Sequence, residues 1–212
     1  MPYTCYIIRK RVCFLAENAA VPIDKPVPGP YDKLWPNVRP SRIGKGTYMV
    51  ILGIDPGLAL LGWGVVEANG GRLKLLDYGV VETRAGTPQA QRLRAIQLGV
   101  RDIINIYKPD DIAFEELFFA RNVTTALSVG AARGAAIIAA AEYTENLYEY
   151  TPMQIKQAVT GWGKADKHQV QQMVKLLLNM KEIPKPDDAA DGIAAAITHA
   201  HSLHAKEMFR MK

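Results

Sequence analysis

From Val50 onward the chain alternates between short apolar runs bounded by turn residues and longer stretches with a three- and four-residue apolar period. Val50-Ile51-Leu52 is uniformly apolar, as suits a strand buried on both faces, and Leu60 to Val66 is a second, glycine-bearing run that returns beside it. Residues 72–83 read as a third strand closing an antiparallel meander, with the turn at 68–71. Leu93, Ile96, Val100, Ile103 and Tyr107 then recur at helical steps, predicting a helix over 88–107 that Lys108-Pro109-Asp110 ends. Residues 111–114 form a short buried strand, and 122–143 an alanine-rich helix with Gly130 and Gly134 one turn apart. A fifth strand at 147–150 precedes a helix opened by Thr151-Pro152, an amphipathic helix over 167–178, and a last helix from Pro186-Asp187 to about His201. A meander followed by alternating helices and strands predicts an α/β fold: a mixed five-stranded sheet with helices packed on it.

The first 48 residues break this pattern. They show no sustained period and hold seven of the 13 prolines. Their charges follow the short apolar run instead of preceding it, the wrong order for a secretory signal. Met49 stands directly before the first convincing strand, so 1–48 is expected to be a disordered leader or an over-extended start, 49–203 the main folded domain, and 204–212 a short basic tail.

Charge sharpens that division. The chain is net +5, but 1–48 holds eight of the 26 Lys/Arg and three of the 21 Asp/Glu, leaving 18 of each in the other 164 residues. Global charge therefore argues nothing about nucleic acid; acids gathered at one place with bases around them would. The composition is 49% apolar with no apolar run near eighteen residues, predicting a soluble chain with a real core. The two cysteines, Cys5 and Cys13, leave the main body without a disulfide framework or cysteine-based zinc site.

The candidate chemistry is carboxylate chemistry. Asp55 ends the first strand and is followed at once by Pro56-Gly57. An acid there could serve a capped turn, but buried strand on both sides favours a divalent-cation ligand or a phosphate contact. The glycines around it let backbone, and a ligand lying on it, come close. Glu115 ends the fourth strand, with Glu116 as its rival; adjacent strand residues face opposite ways, so one of the two reaches the site. Asp188 and Asp191 share a face of the last helix, while Asp187 is read as its cap. Four gathered carboxylates repel unless cations sit among them. Oxygen-only ligands point to magnesium or manganese, and two such ions can drive phosphodiester cleavage.

These residues resemble a known family, the RuvC-type Holliday junction resolvases of the ribonuclease H-like superfamily. The motifs run in order: Gly53-Ile54-Asp55-Pro56-Gly57, Phe114-Glu115-Glu116-Leu117-Phe118, Ala126-Leu127 through Gly130-Ala131-Ala132-Arg133-Gly134, Gln154-Ile155-Lys156-Gln157, Lys167-His168-Gln169-Val170-Gln171, and Asp188-Ala189-Ala190-Asp191 with Ala196-Ile197-Thr198-His199. Together they cover Val50 to His201; the 48-residue leader departs from the pattern, in keeping with a start at Met49.

The resemblance implies a ribonuclease H-like fold and a cytoplasmic bacterial homodimer. Such a dimer binds a four-way DNA junction and makes two symmetric magnesium-dependent nicks, alongside a branch-migration helicase complex of the RuvA and RuvB type. It assigns Asp55, Glu115, Asp188 and Asp191 as catalytic acids and metal ligands, though some relatives carry histidine at the Asp188 position. It assigns DNA contacts to Lys156 and Lys167 and an aromatic stacked near the crossover to Phe118. Lys164, between those lysines in the loop Gly161-Trp162-Gly163-Lys164, could also flank a phosphate path. Phe118 is read as the DNA aromatic and Phe119 as packing; His168 and His199 are read as surface or satisfied core residues. The alternatives are a ribonuclease H-like nuclease acting on RNA or other branched nucleic acid, and an actin-like ATPase, for which 164 residues leave no second lobe.

Overall fold

A computed structural model describes residues 5–8, 11–14, 48–117 and 123–212. The order is β1 (Cys5–Ile8), β2 (Arg11–Phe14), β3 (Tyr48–Asp55), β4 (Leu60–Asn69), β5 (Arg72–Glu82), α1 (Gln89–Tyr107), β6 (Asp111–Glu115), α2 (Val123–Ala141), β7 (Leu147–Tyr150), α3 (Pro152–Thr160), α4 (Lys167–Leu177), α5 (Asp187–His201) and a closing 3-10 segment, Leu203–Phe209. The expected five strands form the mixed sheet β5-β4-β3-β6-β7: β3, β4 and β5 are antiparallel neighbours, while β6 runs parallel to both β3 and β7. The hairpin β1–β2, unexpected in the aperiodic leader, extends the sheet at the β5 edge through a parallel pairing with β5.

The uniform apolar run of β3 follows from burial on both faces. Leu52 and Ile54 join Trp63, Val65, Phe114, Ile96, Val100, Ile103 and Ala136 in a core under α1 and α2. Ile51 faces the other way, with Val66, Val80, Ala113, Tyr148, Tyr150 and Ile193, under α3, α4 and α5. The molecule is thus three layers, helix–sheet–helix.

Local signals set the helix ends. α1 stops where Lys108 takes a left-handed conformation (φ 46°) and its N–H bonds the Ile104 carbonyl. The Thr151 side chain and Gln154 form a capping box on α3, with Pro152 in the first turn. Asp166 and Gln169 form a second on α4. The reading of Asp187 as a cap is corrected: Pro186 occupies the N-cap with no side-chain acceptor to offer, and Asp187 lies exposed in the first turn.

The tail is held against the body. Met211 N–H donates to the Leu147 carbonyl (2.9 Å), and Arg210 bridges Glu207, the Glu145 carbonyl and the Tyr148 hydroxyl. Lys206 reaches inward to Asp111 (2.7 Å), a buried acid that also meets His199 Nε2 at 2.8 Å, while His199 Nδ1 lies 2.9 Å from the Tyr150 hydroxyl. Burial alone would raise the Asp111 pKa, but hydrogen bonds from His199 and Lys206 outweigh it and hold it below the ordinary value. His199 is therefore a satisfied core histidine, fully buried between α5 and the sheet.

Candidate active site

The site is built where β3 and β6 end side by side. Their parallel register pairs Ile54 with Phe114, both in the core under α1 and α2, so the next residues, Asp55 and Glu115, turn to the opposite face, toward α5. The carboxyl ends of adjacent parallel strands are where open α/β sheets bind ligands. Glu116 lies beyond the strand end, exposed, with its N–H bonded to the Tyr150 carbonyl. Glu115 is the acid turned inward.

Asp188 and Asp191 come from α5, and glycines let that helix descend far enough to deliver them. A Cβ at Gly64 would sit 2.5 Å from Ile193 Cγ1 and 2.7 Å from its Cα, and one at Gly192 only 2.6 Å from Trp63 Cα. Gly53 and Gly62 meet α5 backbone still more closely. The glycines expected to admit a ligand near Asp55 thus admit a helix, backbone against backbone. α5 runs antiparallel to β6: its first turns lie over the acid end, and His199 lies over Asp111 at the opposite end.

The electrostatics register the gathering. Asp55 is pushed well above the ordinary carboxylate range, chiefly by burial and then by the charges of Glu115, Asp191 and Asp188. Glu115 rises to about 7, through burial and Asp191, against the opposing charges of Lys156 and Lys167. Asp191 is raised by burial, against a hydrogen bond from Lys167. Lys167, at the start of α4, places Nζ 3.1 Å from Asp191 and 3.7 Å from Asp187. Burial would lower the Lys167 pKa, but the Asp191 hydrogen bond and the surrounding carboxylates raise it instead.

Burial and mutual repulsion disfavour the ionised forms of Asp55, Glu115 and Asp191, and with the charge of Asp188 beside them the four are a donor set short of positive charge. Hard oxygen ligands without sulfur or imidazole among them suit a divalent ion of the magnesium type. Among the described residues, no group of three or more His, Cys, Asp or Glu is already drawn into metal-holding geometry. The carboxylates share a crevice and a field, and Lys167 takes up one of them.

The structure thus brings Asp55, Glu115, Asp188 and Asp191 together. Lys156 and Lys167 act on them from α3 and α4, and Lys164 stands exposed in the loop between those helices. Phe118 and Phe119 lie outside the described residues. Sequence reasoning missed the cap at Asp166, whose Asp-x-x-Gln spacing was legible, and the pairing of Arg133 with Glu149 (2.5 Å), which ties α2 to β7 and has no local signature.

Comparison with known proteins identifies the family. A family model described as crossover junction endodeoxyribonuclease RuvC matches residues 51–199. The chain is 52% identical over 164 residues to the RuvC of Alkaliphilus metalliredigens, covering 77% of this chain and all of that one. It is 57% identical over 155 residues to that of Heliobacterium modesticaldum, covering 73% and 96%. Among solved structures, Thermus thermophilus RuvC superposes with a TM-score of 0.69 at 41% identity (74% of this chain, 96% of that one). The same protein in complex with Holliday junction substrate gives 0.70 at 42% identity (73% and 94%). The yeast mitochondrial Holliday junction resolvase Ydc2, 15% identical with a TM-score of 0.55 over 76% of this chain and 82% of that one, shares the fold. By sequence and by architecture, the chain belongs to the crossover junction endodeoxyribonuclease RuvC family.

Proposed function

We propose that this protein is a structure-selective endodeoxyribonuclease that resolves four-way DNA junctions by paired symmetric nicks, in recombination and repair. The observation that carries the reading is the four-carboxylate crevice of Asp55, Glu115, Asp188 and Asp191, on a chain of the RuvC family with lysines on the adjoining helices. The four acids would hold magnesium, or manganese in its place, two ions to a site. When bound, the metal supplies the Lewis acidity for attack of water on the phosphodiester, leaving 5′-phosphate and 3′-hydroxyl ends. Asp55 and Glu115 fix one side of the crevice from the rigid sheet, and Asp188 and Asp191 close it from α5. Lys156 and Lys167 draw the phosphate backbone across the acids, with Lys164 and Phe118 as further DNA contacts. Lys167, which bonds Asp191 here, would be free to turn to phosphate once a cation took up that carboxylate.

Two opposed cuts call for two sites related by a two-fold axis, hence a homodimer. Branch-migration partners of the RuvA and RuvB type and a cytoplasmic setting follow from the family; no helix among the described residues is long and apolar enough to cross a membrane. The test is cleavage of an end-labelled four-way DNA junction, with magnesium and with chelator. A linear duplex, an RNA junction and the Asp55→Asn variant run beside it. Magnesium- and Asp55-dependent nicks on opposed strands of the DNA junction support the reading. Cutting confined to RNA would replace it with a ribonuclease, and tight binding without cutting would leave a binding protein.

A further inference from the structure

The loop between α3 and α4 carries Trp162, a large aromatic that the proposed chemistry does not use. It is 55% exposed, although the other tryptophan among the described residues, Trp63, is buried. Isolated apolar side chains are common on surfaces, so exposure alone says little. The backbone beneath Trp162 says more. Gln157 spans the loop, donating from Nε2 to the Gly161 carbonyl (2.7 Å) and accepting the Gly163 N–H at Oε1 (2.9 Å). Trp162 N–H donates to Thr160 Oγ1 (3.1 Å), and its carbonyl accepts the Ala165 N–H (3.1 Å). Gly161 turns the chain with φ 78°, a conformation a side chain would strain. Buried Ala165 and the Asp166 cap then anchor the exit into α4. The loop is pinned at both ends while the indole is left open to solvent.

Its position gives that arrangement a use. Lys156, whose charge acts on Glu115, lies four helical steps and two loop residues before Trp162, so their Cα atoms are at most about 13 Å apart. Lys167, bonded to Asp191, follows five residues later, and exposed Lys164 is two residues on. A strand whose phosphates follow these lysines across the acids passes the indole within a few nucleotides of the cut. Duplex interiors hide base faces in the stack; a four-way junction exposes them at the branch point.

We propose that Trp162 is a base-stacking platform, distinct from Phe118, that holds an unstacked nucleobase of the junction close to the scissile phosphate and contributes to selection of branched over linear DNA. The inference rests on the nuclease reading above. It requires an aromatic ring, which phenylalanine supplies and leucine does not.

The test uses the full chain with chelator, so that binding is read without cutting, and a labelled synthetic four-way junction against a linear duplex. The junction is expected to quench wild-type tryptophan emission, and Trp162→Phe to bind with near-normal affinity while losing that quench. Trp162→Leu should weaken junction binding roughly five- to hundred-fold, the range of one base–aromatic stack, and duplex binding less than about twofold. Melting temperatures of both variants, substituted at a solvent-facing ring, check that the fold is kept. A quench that survives in Trp162→Phe, or Trp162→Leu binding the junction within about twofold of wild type, overturns the inference and leaves the nuclease reading standing. A wild type with no preference for the junction overturns both.

Discussion

Replacing Gly192 with alanine adds one methyl group at the point where α5 rests on β4. That methyl would lie 2.6 Å from Trp63 Cα, 2.7 Å from Trp63 N and 2.8 Å from Gly62 C, whereas ordinary contact begins at 3.4 Å. All three are backbone atoms of the strand beside β3, so no side chain can swing aside. Relief requires the helix to lift by about 0.8 Å, the difference between 3.4 and 2.6 Å. Two energetic effects oppose one another. Alanine is the better helix former by about 1 kcal/mol, while overpacking a tight contact costs about 1–3 kcal/mol. Net stability therefore falls by no more than about 2 kcal/mol. Activity falls much further, because Asp191 is the adjacent residue and Asp188 lies one turn earlier on the same rigid helix. A displacement near 1 Å costs on the order of a hundredfold in rate. Single-turnover cleavage of a four-way junction at saturating protein and magnesium, beside urea unfolding, separates the two effects. A Gly192→Ala protein cutting within about threefold of wild type would refute the claim that backbone contact at the glycines sets the acid geometry.

Other consequences follow from the same structure. Folded Glu115 titrates near 7 instead of the ordinary 4.5, so the native state binds more protons than the unfolded chain between those values. Metal-free protein should therefore lose stability as pH rises through that window, and Glu115→Gln should flatten the slope; a wild-type slope no steeper than the variant's contradicts this. Protons compete with metal for the same oxygens, so the magnesium concentration for half-maximal cleavage should rise as pH falls below about 7, and an invariant value would count against ligation by Glu115. His199→Ala removes one of the two partners of the buried Asp111 carboxylate, leaving Lys206, and a partner of the Tyr150 hydroxyl, which should cost about 1–3 kcal/mol in urea unfolding; a loss under about 0.5 kcal/mol would mean the network adds little. Nothing lies within 4 Å of a Cβ at Gly134, so if this face of α2 meets a second copy, Gly134→Leu should yield monomers by sedimentation without lowering the melting temperature.

Much of this was legible in the chain because the signals are local. Asp55 and Glu115 stand where apolar runs stop, and the parallel strands β3 and β6 end in step. Asp188 and Asp191 declare a shared helical face by their spacing. The glycines were legible as places of close approach, but what approaches is set by α5, more than a hundred residues beyond Gly53 and Gly62. The same distance hid the partner of His199, since Asp111 lies 88 residues away in sequence. Asp187 was misread because an acid beside a helix start resembles a cap, whereas Pro186 occupies that position and Asp187 faces Lys167 instead. The paired strands Cys5–Ile8 and Arg11–Phe14 are too short, and too close to prolines and charges, to show a period. The tail read only as short and basic because nothing nearby in sequence shows that Lys206 and Arg210 reach back to Asp111 and Tyr148.

The central claim is that one carboxylate crevice per subunit, supplied with magnesium, cuts a junction at two opposed strands within one binding event. Supercoiled plasmid carrying an extruded cruciform tests it most directly. Dual incision converts the circle straight to linear product with ends that ligase can seal, dependent on magnesium and lost in Asp55→Asn. Nicked circles accumulating without linear product, or linear product that survives chelation or the Asp55→Asn substitution, would contradict the account.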